Sequence, residues 1–83
     1  MKKKYIKKQG EPFDAIQWNG HNVNEVKKFV SEYRVMYYDN KFIILYGALH
    51  LPTVAQIGDY ILCRNGNASV INQHFFEEEY KEL

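Results

Sequence analysis

From Asn22 onward the apolar residues keep a helical rhythm. Val23, Val26, Phe29, Val30 and Tyr33 recur at three- and four-residue spacing, with Asn24, Lys27, Lys28, Ser31 and Glu32 between them. That spacing gathers the apolar side chains into one stripe and predicts a helix over Val23 to Tyr33. Asn22 is a favourable N-cap residue, and Glu25 follows at the spacing of a capping box. One stripe means one buried face, so this helix needs a second layer to lie on, and the rest of the chain supplies strands.

Lys4 to Lys8 predicts a first edge strand, and Gln9-Gly10-Glu11-Pro12 a turn. Phe13 to Trp18 alternates weakly, but its Phe, Ile and Trp suit a strand that Asn19-Gly20 stops. Val35 to Tyr38 and Phe42 to Tyr46 are β-rich runs around Asp39-Asn40-Lys41, residues that tolerate the backbone of a tight hairpin. Ala48 to Val54 extends the sheet at an edge, because Pro52 cannot donate a ladder hydrogen bond. Gly58-Asp59 turns the chain into a strand over Tyr60 to Arg64, and Asn65-Gly66-Asn67 joins it to Ser69 to Asn72. Gln73 to Leu83 reads as a short terminal helix with Phe75, Phe76 and Tyr80 inward and the glutamates outward. The expected fold class is α+β: a small antiparallel, curled sheet with one main amphipathic helix and a short C-terminal helix, in a single domain over residues 1–83.

Composition bounds what such a domain can do. At 83 residues it hides only about 60% of the surface of its unfolded chain, so it needs a dense core or self-association. Hydrophobic residues make up 46% and aromatic residues 16%, which supplies that core and argues against disorder. The formal net charge of +1 argues against polyanion binding by the whole chain, and nucleic acid is not an expected partner. The charge is unevenly placed: Lys2, Lys3, Lys4, Lys7 and Lys8 open the chain, and Glu77, Glu78, Glu79 and Glu82 close it. Either the basic segment touches nucleic acid or an acidic partner, or both segments are solvated and loosely complementary. Cys63 is the single cysteine, so no internal disulfide forms, which fits a reducing cytoplasm. The basic start lacks the apolar stretch of a signal peptide, and Phe42 to Gly58 is too short and polar to span a bilayer.

Four separated signatures give the chain a resemblance. Tyr5, Lys7 and Lys8 make Y-x-K-K; Ala15, Gln17, Trp18 and Gly20 make A-x-Q-W-x-G; Gly58 to Ile61 make G-D-Y-I; Phe76 and Tyr80 make a closing F…Y. In this order they resemble a family of small uncharacterised phage and prophage proteins of Gram-positive bacteria, over nearly the whole chain. Gln9 stands where that pattern has Pro, and Ile57 stands where it has Pro before Gly58. The resemblance implies a setting, the cytoplasm of an infected or lysogenic host, and no established activity.

Candidate chemistry is sparse. His21, His50 and His74 have no partner at metal-ligand spacing, and one cysteine makes no zinc pattern, so no metal and no cofactor are expected. His50 and Cys63 could meet as base and nucleophile, but nothing near Cys63 in sequence lowers a thiol pKa. No nucleophile elbow or phosphate loop occurs, so the chain is not expected to be an enzyme. Gln17, Trp18 and Lys7 could form a pocket between subunits for a planar, nucleotide-like ligand, with Trp18 stacking; the alternative is a core tryptophan. Asp59 could bind a hydroxyl or amine, or simply hold the turn at Gly58. Tyr37, Tyr38 and Tyr46 could form an interface, since exposed tyrosine suits protein contacts. The leading expectation is a non-enzymatic accessory protein that binds an unidentified host or phage protein, with a homodimer also open. A sequestering small-molecule binder and a nucleic-acid binder using the lysine arm are the alternatives.

Overall fold

The strand-forming residues divide between two antiparallel sheets, with a helix beside each. The structure, a computed structural model, describes residues 3–7, 12–38, 41–48, 51–64 and 67–82. The larger sheet contains β1 (Lys3–Lys7), β2 (Pro12–Gln17), β6 (Tyr60–Arg64), β7 (Asn67–Ile71) and β8 (Tyr80–Glu82), in the order β7-β6-β2-β1-β8. The smaller sheet is β3 (Arg34–Tyr38), β4 (Phe42–Tyr46) and β5 (Thr53–Gln56), with β4 central. Helix α1 (Val23–Phe29) links the sheets, and α2 (Gln73–Glu79) precedes β8.

The register explains the layering, because residues directly opposite in a ladder share a face. Ile16 pairs with Ile61, and Ile61 with Val70, so these point to one side of the larger sheet. There Ile16, Trp18 and Ile61 close a buried cluster with Ile43, Leu45 and Ala55 of the smaller sheet and Val26 and Val30 from the α1 region. Ala15, Leu62, Tyr60 and Ile71 point to the other side. They form a second cluster around Phe76 of α2 with Phe13 and Tyr80. The larger sheet is therefore covered on both faces, by α2 on one side and by the smaller sheet with α1 on the other.

The α+β class and the two helices are as the sequence predicts. Several details differ. Strand β1 is interior rather than an edge, because β8 pairs with its outer side, Lys7 opposite Tyr80. The final residues make that strand instead of continuing α2, and Tyr80 leaves the helix with extended backbone. Helix α1 ends at Phe29; Val30 to Tyr33 turn instead, with the Tyr33 N–H donating to the Val30 carbonyl at 2.7 Å. Tyr33 still packs against the core, and its hydroxyl accepts from the Ala68 N–H at 2.9 Å, fastening the turn to β7.

The capping prediction also changes. Asn22 makes no side-chain hydrogen bond to α1. Its Oδ1 accepts from the Asn19 N–H at 3.0 Å, and its Nδ2 donates to the Gln17 carbonyl at 2.8 Å. Asn22 is buried, so its amide is used to hold the loop after β2, where an unpaired polar group would be costly. Asn72 is the side chain that caps, accepting from the His74 and Phe75 N–H groups at the start of α2. The Asp39-Asn40 and Asn65-Gly66 turns lie outside the described residues, although the strands they join pair antiparallel as expected.

Neighbouring residues on a helix are about 100° apart, and of the adjacent Phe75 and Phe76 only Phe76 faces the sheet. Phe76 is buried, stacked on Tyr60 at 4.0 Å and on Tyr80 at 4.6 Å between centroids, while Phe75 remains 63% exposed. Phe76→Ala should cost about 3–5 kcal/mol in urea unfolding, whereas Phe75→Ala should stay within about 0.5 kcal/mol of the wild type. Equal midpoints for the two variants would contradict this burial.

Candidate functional site

The A-x-Q-W-x-G and G-D-Y-I signatures meet. Gln17 is opposite Tyr60 in the ladder between β2 and β6, and beyond that pair the chains stay joined by main-chain bonds. The Trp18 N–H donates to the Asp59 carbonyl at 2.9 Å, and the Gly58 N–H donates to the Trp18 carbonyl at 2.7 Å. Gln17 Nε2 donates to the Gly58 carbonyl at 3.0 Å. The Asp59 carboxylate accepts from the Gln56 N–H at 2.9 Å, closing the turn between β5 and β6. Gly58 takes a φ of 99°, a left-handed conformation that side-chain-bearing residues rarely adopt. This turn carries the chain from one sheet to the other.

These contacts answer the small-molecule reading. Trp18 is 0% exposed, with its ring edge-to-face against Tyr37 at 5.9 Å, so it offers no free face for stacking. That corrects the expectation of a stacking Trp18; the core alternative describes it. The Gln17 amide and the Asp59 carboxylate are both engaged in holding the turn. Lys7 is not brought to them: the register sets Lys3 opposite Ala15 and Ile6 opposite Pro12, so Lys7 lies at the far end of β2 from Gln17 and Trp18. The lysine-rich segment is likewise no free arm over Lys3–Lys7, whose backbone pairs with strands on both sides.

The catalytic alternatives fare no better among the described residues. His21 and His74 are exposed, and His74 Nε2 lies 3.2 Å from Glu78 one helical turn on. His50 lies outside the described residues. Cys63 borders a small cavity of about 200 Å³ with Phe29, Val30 and Glu32. Burial pushes its thiol above the ordinary value, and the Glu32 carboxylate adds to the shift, which disfavours a reactive thiolate. No cluster of three or more His, Cys, Asp or Glu residues able to hold a metal occurs among the described residues.

What stands out is the outer face of the smaller sheet. Met36, Ile44 and Val54 form one row across its three strands, Tyr38, Phe42 and Gln56 a second, and Arg34 with Tyr46 a third. Ile43 and Leu45 alternate with these and are buried, so the three rows point away from the core. Met36, Tyr38, Tyr46 and Val54 in these rows are exposed, and Phe42 and Ile44 are half-buried. Tyr38 stacks on Phe42 at 4.9 Å, and remains 39% exposed; Val54 is 48% exposed and Ile57, just beyond β5, 54%. Lys41, Phe42, Val54, Gln56 and Ile57 line an open cleft of about 500 Å³ at the end of this face.

Of the three tyrosines singled out from the sequence, Tyr38 and Tyr46 share this face. Tyr37 is also exposed, but it lies on the inward side against Trp18. Sequence reasoning missed Met36, Ile44, Val54 and Ile57. The signal was present: Phe42 to Tyr46 is apolar without alternation, the pattern of a strand to be covered on both faces.

Compared with protein-family models, curated proteins and solved structures, the chain matches none. Among the described residues, no helix is long and apolar enough to cross a membrane.

Two outcomes test the site as described. Gly58→Ala should lower stability by about 1–2 kcal/mol through its positive φ, and a Cβ there would come 3.1 Å from Gln73 Oε1. An unchanged urea midpoint would contradict the turn. Cys63 should react with iodoacetamide at pH 8 more slowly than free cysteine, and Glu32→Gln should speed it; a thiol faster than free cysteine would reopen the nucleophile reading.

Proposed function

We propose that this chain is a non-enzymatic binding protein that acts through the outer face of β3–β5. The observation that carries this reading is the row structure of that face. Met36, Tyr38, Phe42, Ile44, Tyr46 and Val54 lie together on three paired strands, while the opposite side of the same strands already fills the core. A sheet face turned to water is ordinarily polar, and contiguous exposed apolar surface marks interaction sites. Its composition is also that of an interface centre: aromatic residues and Met, with Arg34 and Lys41 as the charged residues beside them.

The Y-x-K-K, A-x-Q-W-x-G, G-D-Y-I and F…Y order adds a setting. Its resemblance to small phage and prophage proteins supports a role in the cytoplasm of a Gram-positive host, as an accessory factor or as an inhibitor of a host process such as defence. The raised thiol pKa of Cys63 and the structural engagement of Gln17, Trp18 and Asp59 favour binding over catalysis.

Tyr38→Ala and Val54→Asp should each weaken capture of a partner from a lysate of such a host at least about tenfold, with little change in unfolding midpoint, because both side chains are surface-exposed. Tyr37→Ala should instead lower stability, since its ring braces Trp18. Capture equal to wild type by both face variants would remove the surface from consideration.

A further inference from the structure

The same molecule carries a surface that fits the cleft on this face. Helix α2 turns Phe75 outward, and Glu78 and Glu79 follow it by three and four residues, which sets them beside it on the helix surface. An exposed aromatic ring thus projects from an acidic helix. The cleft on the smaller sheet has the opposite character: Phe42, Val54 and Ile57 supply an apolar lining, and Lys41 supplies a cation. At about 500 Å³ it has room for a phenylalanine ring. Within one chain the two surfaces belong to different layers. Phe76 holds α2 on the far side of the five-stranded sheet, whereas the cleft opens from the outer side of the three-stranded one.

We infer that a second copy of this chain docks there: Phe75 of one copy enters the Phe42–Val54–Ile57 cleft of the next, and Glu79 meets Lys41. This rests on the reading of the outer face as a protein-docking surface and names its occupant. The contact is head-to-tail, because the two halves are different surfaces on different layers, so each docked pair leaves one free cleft and one free helix. With the helix and the cleft on opposite sides of the molecule, two copies do not exchange both contacts at once, so such contacts close into a larger ring or extend as a chain. The contact is small, since a seven-residue helix is only about 10 Å long, and the association is accordingly weak and dependent on concentration.

Sedimentation velocity on the full chain, from about 10 to about 500 µM, tests this. Wild type should sediment as a growing series of species whose association constant falls several-fold in about 1 M salt, where the Debye length is only about 3 Å. Phe75→Asp, which spoils the helix, and Val54→Asp, which spoils the cleft, should each be monomeric alone. Mixed in equal amounts they should form a 1:1 dimer and nothing larger, because one good helix and one good cleft remain. Lys41→Glu should weaken association, and adding Glu79→Lys should restore it. A monomeric wild type would overturn the inference, as would a mixture that stays monomeric. So would Phe75→Asp associating like wild type while Val54→Asp does not, since that pattern means face-to-face stacking. The parent reading is tested separately: if wild type is monomeric yet a host partner is still lost on Val54→Asp, the face docks another protein and only self-association falls; if host capture is also unchanged in Val54→Asp, the parent reading falls too.

Discussion

Everything in this molecule hangs on the main-chain exchange between Trp18 and the Gly58-Asp59 turn. Two sheets must meet at one corner, and the corner has to leave no buried polar group unpaired. Trp18 donates to Asp59 and accepts from Gly58, while the Gln17 amide takes the remaining Gly58 carbonyl. With its backbone fixed on both sides, the indole is delivered into the core shared by Ile16 and Ile61 of one sheet and Ile43, Leu45 and Ala55 of the other. Asn22 reinforces the corner from the α1 side by binding the Gln17 carbonyl. The two sequence signatures are thus two halves of one joint, and their residues are constrained by folding before any ligand is considered.

Much of this was legible in the sequence, and the failures have physical causes. The helical stripe at Val23, Val26, Phe29, Val30 and Tyr33 identifies the side that meets the core, even though the helix itself ends at Phe29; the turn that follows keeps Tyr33 facing inward. The hairpins were legible because turn residues separate β-rich runs. The division into two sheets was not, because it depends on which distant strands pair, and local pattern carries no such information. Tyr80–Glu82 looked helical because its neighbours are; pairing with β1 decided otherwise. Asn22 has the chemistry of a cap, and tertiary contacts used the same chemistry elsewhere.

The candidate site was half legible. Tyr38 and Tyr46 were found as aromatics in strands, but only register separates them from Tyr37 and adds Met36, Ile44 and Val54. The unbroken apolar run of β4 was the available clue. It is central in its sheet and buried on one face, and its other face, Phe42 and Ile44, is covered only partly by its neighbours on β3 and β5. The larger sheet shows the contrast, since α2 and the smaller sheet cover both of its sides. Burial is unequal between the two sheets, and the candidate docking surface is where that inequality is exposed.

The placement of β1 has a kinetic consequence. Its first neighbour, β2, follows directly in the chain, but its second, β8, comes from the far end of the described sequence. During synthesis a β1–β2 hairpin can form early, yet one side of β1 keeps unpaired peptide groups until Tyr80–Glu82 arrives. Pairings between such distant segments form slowly, because the intervening chain must first be ordered. For that interval the nascent protein presents an open strand edge to its surroundings, and β1 itself is K-K-Y-I-K, whose three lysines discourage stray pairing. The edge that those charges protect is one that the finished sheet no longer has, because β8 closes it.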